Sequence, residues 1–530
     1  MASSSDLVEE QRTALDFLAQ EREAFSRDHM TIWSFHEPSW REYRSSQWYV
    51  DRLRAEGFAV EQGSAGMPTA FRATWTGPGG EGPVLAGYAE YDAVPGQSQI
   101  AAPYRAPRPG TTRHAAGHTD PHSALGIGQL AGFLAAKHAM ERHNLAGTLV
   151  FFGEPAEKFC GSKPVHAARG YYDDLDAAIS FHPHSFDNLT NGVFWETTSA
   201  AYWSRIYTFE CREPETWQAR SDGVEPHPHA TARAPGAIDA VCMMYINSKM
   251  LKEAMLPHRG SWSLNEFIPV AGQATADNIA PGYAQIQYSL RAPKLDMCET
   301  VFEVLDRNAE HVAAMTHCST EAHWITRTRH GLPNKALARA TFRNFERLGP
   351  PVWSDRAQEF ARQAHQSIGV DPMEDPFIDN MSRLAPPEEA EAAFRNQLPP
   401  WQMHFAADDY VEYTWHAPTV RLYVARPTLR MPPNSGRCPE WVRHAMGGTP
   451  ACIDPMWHKA AEVISTTLID LLRDPTILAE AAEEFRQRTQ GGVGGRSWLA
   501  PLLPSDFQAP VHYRWPEWVE NPRGTEWSVL

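Results

Sequence analysis

Short apolar runs alternate with longer amphipathic segments along the chain, and this alternation predicts strands and helices in turn. One strand is predicted at Val84–Tyr88, and two more lie in GTLVFFG from Gly147 and in DAAISFHPH from Asp176. An apolar helix that runs to about Glu141 separates the first two strands. This order is typical of a mostly parallel sheet covered by helices, so we predict an α/β fold.

The pattern changes after about Asn191. Strands are predicted at Ala200–Phe209 and Ala284–Arg291, with a helix at Ala237–Met255 between them. A strand, a helix and a second strand fit a smaller α+β domain that is inserted into the larger one.

The remaining segments complete the predicted organisation. Residues 370–400 are acidic and rich in proline, which predicts a wrapping loop, and residues from 490 form a tail without periodicity. A helix from Asp454 has its apolar face at Ala460, Val463, Ile464, Leu468 and Leu471. We therefore divide the chain into a first catalytic part at 1–195, an inserted lid or dimerisation domain at 196–330, a second catalytic part at 331–489 and a tail at 490–530.

Composition narrows the class of protein. The 530 residues are enough for about two to four domains, and 42% hydrophobic with 21% charged residues indicate a globular protein. The net charge of −16 argues against nucleic acid as a partner. No run of about eighteen apolar residues predicts a membrane span, and the first residues lack the pattern of a secretory signal. Seven scattered cysteines without a CxxC pair fit the reducing cytoplasm.

Acidic and imidazole side chains follow the predicted strands. They are Glu90 after the first, Glu154 and Glu157 after the second, and His182 and His184 at the end of the third, with His114, His118 and His122 in a connection. Ligands bind beyond the carboxyl ends of strands in open α/β sheets, so these groups are expected to converge. Imidazole and carboxylate ligands suit a divalent transition metal, which activates water while a nearby glutamate takes the proton. We predict a metal-dependent hydrolase.

Ordered motifs make this prediction more specific. They are GYAEYDAVPGQSQ, RHAAGHTDPHSALG, GTLVFFGEPAEKFCGSK, YYDDLDAAISFHPH, GAIDAV, NIAPGYAQIQYSLRAP, LPNKALARATFRNFERLG and MWHKAAEVISTTLIDLL, which span about Glu81 to Arg473. In this order they resemble the aminoacylases and carboxypeptidases of peptidase family M-twenty, and within it the amidohydrolase branch that contains aminobenzoyl-glutamate hydrolase. The resemblance implies a metal-bearing catalytic domain with an inserted lid that usually mediates dimerisation.

The resemblance also implies roles for single residues. It places metal ligands at His118, His182 and His458, and the general-base glutamate at Glu157. Asp92 matches an aspartate that orients a ligand, and Glu90 stands where other branches have a metal-binding histidine. In the lid, His229 resembles a histidine that reaches a neighbouring subunit's active site, although the following spacing leaves His227 as an alternative. Asn278 and Arg291 match positions that hold a substrate carboxylate, which the arginine fork can bind with two hydrogen bonds.

Two residues depart from the family pattern. Ala116 replaces the metal-bridging cysteine, and Lys158 replaces the second glutamate of a metal-binding pair. Alanine offers no lone pair, and an ammonium repels a nearby dication. We therefore expect one labile divalent ion per chain, Mn or Zn, on His118 and His182. Glu90, Asp120, Glu157 and His122 are alternatives for a further ligand, and His458 either binds the ion or is freed for substrate or proton transfer.

Three functions follow from these expectations. The leading one is hydrolysis of a C–N bond in a small, carboxylate-bearing and aromatic molecule by metal-activated water with Glu157 as base. An alternative is an aminohydrolase that releases ammonia from an aminobenzoate such as 5-nitroanthranilate, a reaction type found in the family. The third is a metal-free protein that binds ligands or partners without catalysis. In each case the lid leads us to expect a homo-oligomer.

Overall fold

The computed structural model of the chain describes residues 7–184, 190–213, 233–256, 261–272, 278–495, 498–512, 517–521 and 524–528. The strands in these ranges are β1 (Ala59–Gln62), β2 (Phe71–Thr76), β3 (Val84–Ala89), β4 (Thr148–Gly153), β5 (Ala177–His184), β6 (Thr198–Ser199), β7 (Ala201–Glu210), β8 (Ser263–Val270), β9 (Tyr283–Ala292), β10 (Ser319–Arg327), β11 (His404–Phe405), β12 (Thr419–Ala425), β13 (Glu517–Asn521) and β14 (Gly524–Ser528). The helices are α1 (Glu9–Phe35), α2 (Tyr43–Ala55), α3 (His122–His143), α4 (Lys163–Ala168), α5 (Ala237–Met255), α6 (Leu295–Met315), α7 (Lys335–Leu348), α8 (Asp355–Ser367), α9 (Pro387–Arg395), α10 (Glu440–Gly447), α11 (Pro450–Arg473) and α12 (Pro475–Thr489).

The larger sheet has the strand order β1-β2-β4-β3-β5-β12. Strands β4, β3, β5 and β12 run parallel, and β2 is antiparallel to both of its neighbours. The parallel strands are almost wholly buried, because helices cover them and their sequences are continuous apolar runs rather than alternating ones. This mostly parallel, helix-covered sheet confirms the predicted α/β fold.

Helices α1, α3 and α11 pack against one another, and α3 and α11 also contact the sheet. Glycine in α3 allows the close approach: a Cβ on Gly132 would lie 2.8 Å from Ile464 Cγ2 in α11. The predicted apolar face of α11 is buried at each of its five positions. The helix begins at Pro450, earlier than the predicted Asp454, because proline suits the first turn of a helix.

A second sheet has the strand order β10-β7-β9-β8 and is antiparallel throughout. Helices α5 and α6 pack on it and on each other, and together they enclose a hydrophobic core of their own. The sheet and its helices span residues 201–327, inside the predicted lid. Strand β8 lies at the edge of this sheet.

Two segments differ from the sequence prediction. The predicted loop at 370–400 contains helix α9, whose first turn holds Pro387, Glu388 and Glu389. Proline and acidic residues favour a helix start, so the composition that suggested a loop belongs to a helix N-terminus. The tail contains the antiparallel pair β13 and β14 instead of being wholly irregular. Among the described residues, no helix is long and apolar enough to cross a membrane.

Candidate metal centre and active site

The site lies where the parallel strands end. Glu90 and Asp92 follow β3, Glu157 follows β4, and His182 lies near the end of β5. In the sheet, β3 lies between β4 and β5. After β3 the chain therefore continues to β4 on one side of β3 and then crosses to β5 on its other side. This is a topological switch point, where α/β sheets bind their ligands. Of the side chains that were predicted to converge, Glu90, Glu157 and His182 meet here around His122, whereas Glu154 contacts His166 and Tyr172 instead.

His122, the first residue of α3, is at the centre of the cluster. Its Nε2 atom lies 3.3 Å from a carboxylate oxygen of Glu90 and 3.3 Å from one of Glu157. Its Nδ1 atom lies 2.7 Å from Asp92 Oδ1. Burial and the nearby Lys158 oppose protonation of the ring, but Asp92 and Glu90 outweigh them and raise the pKa of His122 to about 9. The sequence left His122 as one of several alternatives, and the fold makes it central.

The neighbouring carboxylates have pKa values set by the same network. Burial alone would raise the pKa of Glu157, but Lys158 and His122 lower it to about 2. The pKa of Asp92 is also lowered to about 2, because its contacts with His122 and Lys158 overcome burial. Burial raises the pKa of Glu90 to about 7 against the opposing charges of Lys163 and His122. The cluster therefore holds Glu157 and Asp92 firmly in the ionised form.

Glu90, His122 and His182 form a candidate metal site. One ligand atom from each lies within 4.8 Å of the others, and the same holds for Asp92, His122 and Glu157. Glu90 Oε2 is buried and accepts no hydrogen bond from the described residues. Burial lowers the pKa of His182 to about 4, so its imidazole is neutral and able to ligate. One carboxylate and two imidazoles are a donor set that fits a divalent transition metal.

Lysine side chains share this cluster. The Nζ atom of Lys158 lies 2.7 Å from Asp120 Oδ2, 2.9 Å from Glu157 Oε2 and 3.2 Å from His122 Nε2. Lys163 is fully buried, and its Nζ atom donates to Glu90 at 2.7 Å and to Asp409 at 2.6 Å. The sequence analysis did not single out Lys163 or Asp409. The acidic pair Asp408 and Asp409, which precedes β12, was a signal that could have identified Asp409. No comparable signal marked Lys163, since lysine is rarely fully buried.

A cavity of about 220 Å³ opens beside the cluster. Glu157, Lys158 and His182 line it on the side of the larger sheet, and Arg291 of strand β9 lines it on the side of the second sheet. Phe405 and Tyr423 supply aromatic surface. The Arg291 guanidinium lies over the ring of Tyr202, 5.1 Å from its centroid, and makes no ion pair with any described residue. A cationic side chain of the second sheet thus lines the same cavity as Glu157 and His182, together with aromatic rings.

The structure does not bring His118 and His458 into this cluster. His118 is buried beside His36, with ring centroids 5.5 Å apart, and belongs to none of the candidate metal groups among the described residues. His458 lies on α11 with its Nε2 atom 3.5 Å from Glu462 in the next turn. Neighbouring Trp457 is fully buried in the core, and its ring centroid lies 5.6 Å from that of His458.

The sequence also predicted that two other lid residues contact substrate. His229 and its alternative His227 lie outside the described residues. Asn278 lies in the loop before β9 and is not among the residues that line the cavity.

Comparisons with known proteins show which family the chain belongs to. Residues 86–398 match the model of "Peptidase family M20/M25/M40", the family termed M-twenty above. The chain is 24% identical over 492 residues to one of the subunits of p-aminobenzoyl-glutamate hydrolase of Escherichia coli (strain K12), covering 89% of this chain and 94% of that protein. It is 25% identical over 368 residues to Xaa-Arg dipeptidase of Mus musculus, covering 67% of this chain and 75% of the dipeptidase.

The fold has a match among solved structures. A putative aminohydrolase from methicillin-resistant Staphylococcus aureus aligns with a TM-score of 0.52 at 13% identity, over 87% of this chain and 100% of the other. This likeness concerns the fold alone, whereas the family model covers more than half of the sequence. The chain therefore belongs to peptidase family M20/M25/M40, whose members are metal-dependent hydrolases of carbon–nitrogen bonds.

Proposed function

We propose that this chain is a metal-dependent amidohydrolase that cleaves the amide C–N bond of a small, aromatic, carboxylate-bearing substrate. The single observation that carries the proposal is the clustering of Glu90, His182 and Glu157 around buried His122, beside a cavity that is also lined by Arg291. The name of the bacterial relative, a p-aminobenzoyl-glutamate hydrolase, supports an amide between an aromatic acid and an amino acid.

We assign the metal to Glu90, His122 and His182. A bound divalent ion would lower the pKa of water toward about 7 and polarise the scissile carbonyl. Glu157 lines the cavity, and we assign it as the base that would take a proton from water and pass it to the leaving amine. Asp92 keeps the His122 ring in place through the 2.7 Å contact with Nδ1.

Charge balance favours one ion rather than two. The ion-pair network around His122, Lys158 and Lys163 contains five carboxylates, namely Glu90, Asp92, Asp120, Glu157 and Asp409. Its cationic members are Lys158, Lys163 and Arg426. Each of these cations is already paired with one or two of the carboxylates, so they neutralise much of the negative charge that a second divalent ion would need. We propose Mn(II) or Zn(II), since nitrogen and oxygen ligands accept both.

Arg291 is the proposed carboxylate-binding residue. Its side chain lines the same cavity as Glu157 and is without an ion-pair partner among the described residues. A guanidinium binds a carboxylate through two parallel hydrogen bonds, which would fix the distance between the substrate carboxylate and the scissile bond. Phe405 and Tyr423 offer ring faces for an aromatic group in between.

We propose that the protein acts as a homo-oligomer through the second sheet. Strand β8 is an edge strand, and helix α5 exposes Tyr245, Ile246 and Met250, the last with 76% of its surface accessible. An open sheet edge beside exposed apolar side chains favours pairing with a second copy of the chain. The buried free thiols of Cys160, Cys298, Cys438 and Cys452 support the expectation of a cytoplasmic protein.

The function is tested with p-aminobenzoyl-glutamate and a panel of aminobenzoates, with and without nitro groups. Protein stripped of metal and protein supplied with Mn(II) or Zn(II) are compared for release of glutamate and of ammonia. Glutamate release that requires the metal is the expected result. Ammonia from an aminobenzoate would replace amide hydrolysis by aromatic deamination. Release of neither product with either ion would contradict both reactions for these substrates.

A further inference from the structure

The ammonium group of Lys158 has the surroundings of a bound cation. Its Nζ atom contacts one oxygen of Asp120, one oxygen of Glu157 and the Nε2 atom of His122, at 2.7, 2.9 and 3.2 Å. An ammonium has three N–H donors, and here two carboxylate oxygens and one imidazole nitrogen surround it. Carboxylates and imidazoles also ligate divalent metals in proteins.

Lys158 is held in this position at both ends. Its backbone N–H donates to Asp92 Oδ2 at 3.0 Å, and its neighbour Glu157 begins the short helical turn Glu157–Phe159. The contacts with Asp120 and Glu157 are ion pairs in which the side chains are between 10% and 29% exposed, so water screens them little. The ammonium is therefore a fixed charge of the site rather than a solvated surface group.

The contacts of Lys158 divide into two kinds. His122 Nε2 is shared with the candidate metal group of Glu90, His122 and His182, so a bound ion would take over that atom. Asp120 Oδ2 and Glu157 Oε2 are not part of that group, and Lys158 neutralises both. In the absence of the ammonium, these two carboxylates would lose their shortest ion pairs, and Asp120 would keep a longer one with Arg426, at 3.5 Å.

We infer that Lys158 is a tethered cation that occupies the second cation position of this centre. The chain then needs one divalent ion, on Glu90, His122 and His182, and supplies the other positive charge covalently. This inference rests on the proposed single-ion function. It assigns Lys158 as a positioning residue, which holds the Glu157 carboxylate in place beside the cavity and excludes a second metal from Asp120 and Glu157.

The test is the number of metal ions bound by three forms of the full chain. The unsubstituted protein, Lys158→Arg and Lys158→Glu are equilibrated with excess Mn(II), freed of unbound metal by gel filtration and analysed by elemental mass spectrometry and electron paramagnetic resonance. We expect one ion for the first two forms, because arginine keeps the charge. We expect two ions for Lys158→Glu, with the spectrum of a magnetically coupled manganese pair.

The outcomes separate the inference from the function on which it rests. One ion in the unsubstituted protein and still one in a folded Lys158→Glu variant would overturn the role of Lys158 and leave the single-ion function standing. Two ions in the unsubstituted protein would overturn both, because the lysine would not then exclude a second metal. Thermal unfolding of each variant checks that it is folded. Should Lys158→Glu not fold, Lys158→Gln removes the charge with less repulsion, and an unchanged single ion there would equally overturn the inference.

Discussion

Asp92 Oδ1 lies 2.7 Å from His122 Nδ1, and both side chains are fully buried. The ionised Asp92 accepts from Nδ1–H, and Nε2 is directed toward Glu90 and Glu157, so Nε2 is the ring nitrogen on which a metal ion would replace a proton. Asp92 is itself held by Ser39 Oγ, at 2.7 Å. Asp92 thus orients the His122 ring, although it does not line the cavity itself.

Asp92→Asn should weaken metal binding about 10- to 100-fold, the usual effect of losing the partner of a metal-bound histidine. The reason is that an amide no longer fixes the Nδ1–H tautomer of His122. Competition with a fluorescent chelator measures the dissociation constant. Ser39→Ala is the matched control, since it removes only a hydrogen bond to the same carboxylate and should have a smaller effect. Equal effects of the two substitutions would contradict the tautomer argument.

Glu157→Gln should lower kcat by about 10²- to 10⁴-fold, because an amide cannot accept the proton from water. The metal content should change little, since Glu157 is outside the group of Glu90, His122 and His182. Steady-state kinetics and elemental analysis of the same sample test both parts. Glu310→Gln, on the exposed face of α6, should leave both quantities unchanged. Substantial residual turnover would remove Glu157 from the role of base.

His182→Ala should lose most of the bound metal, and the comparison with His458→Ala is decisive for the ligand set. The family resemblance predicts a metal ligand at His458, whereas its side chain lies beside Glu462 in the structure. We expect His458→Ala to retain the metal and His182→Ala to release it. Isothermal titration with Mn(II) measures both affinities. Loss of metal from His458→Ala would show that α11 supplies a ligand in the working enzyme.

Arg291→Ala should raise KM at least tenfold for carboxylate substrates, with a smaller change in kcat, because the proposed contact is with a part of the substrate remote from the reacting bond. Arg291→Lys should restore part of the binding through its charge but not the two-point geometry. Arg307→Ala, whose side chain is 65% exposed on α6, is the control. An unchanged KM would place the carboxylate elsewhere in the cavity.

Acid should destabilise the fold through buried neutral histidines, of which His29 is the simplest case. Burial lowers its pKa from 6.5 to about 3, so below pH 6.5 the unfolded chain binds a proton that the folded chain does not. The contribution of neutral His29 to the free energy of unfolding is therefore fully present above pH 6.5. It decreases as the pH falls toward 3, by about 2 kcal/mol at pH 5.

Urea unfolding of metal-free protein at pH 7.5 and pH 5 measures this loss. His29→Gln should lose less stability between the two pH values than the unsubstituted chain does. His311→Gln, which replaces an exposed histidine of α6, should lose as much as the unsubstituted chain. If His29→Gln showed the same pH dependence as the unsubstituted protein, His29 would not be a neutral buried group.

Several features could be predicted from the sequence because they depend on local patterns. Continuous apolar runs end in Glu90, Glu157 and His182, and parallel strands necessarily bring their carboxyl ends to one edge of a sheet. The apolar face of α11 follows the helical period, and its predicted positions are buried. The prediction at α9 was wrong because it was based on composition and not on the periodicity of apolar positions. Prolines and acidic residues that mark the start of a helix were interpreted there as a loop.

The fold class, the family and the edge of the sheet at which the chemistry occurs follow from residue types and their order along the chain. Which side chains meet depends instead on how the elements pack. His122 and His118 are four residues apart in one motif, yet α3 begins at His122 and points it at Glu90 and Asp92, while His118 packs beside His36. Lys163 and Asp409 are 246 residues apart and form a buried ion pair. Such contacts depend on the angles at which distant elements pack, and no local pattern encodes those angles.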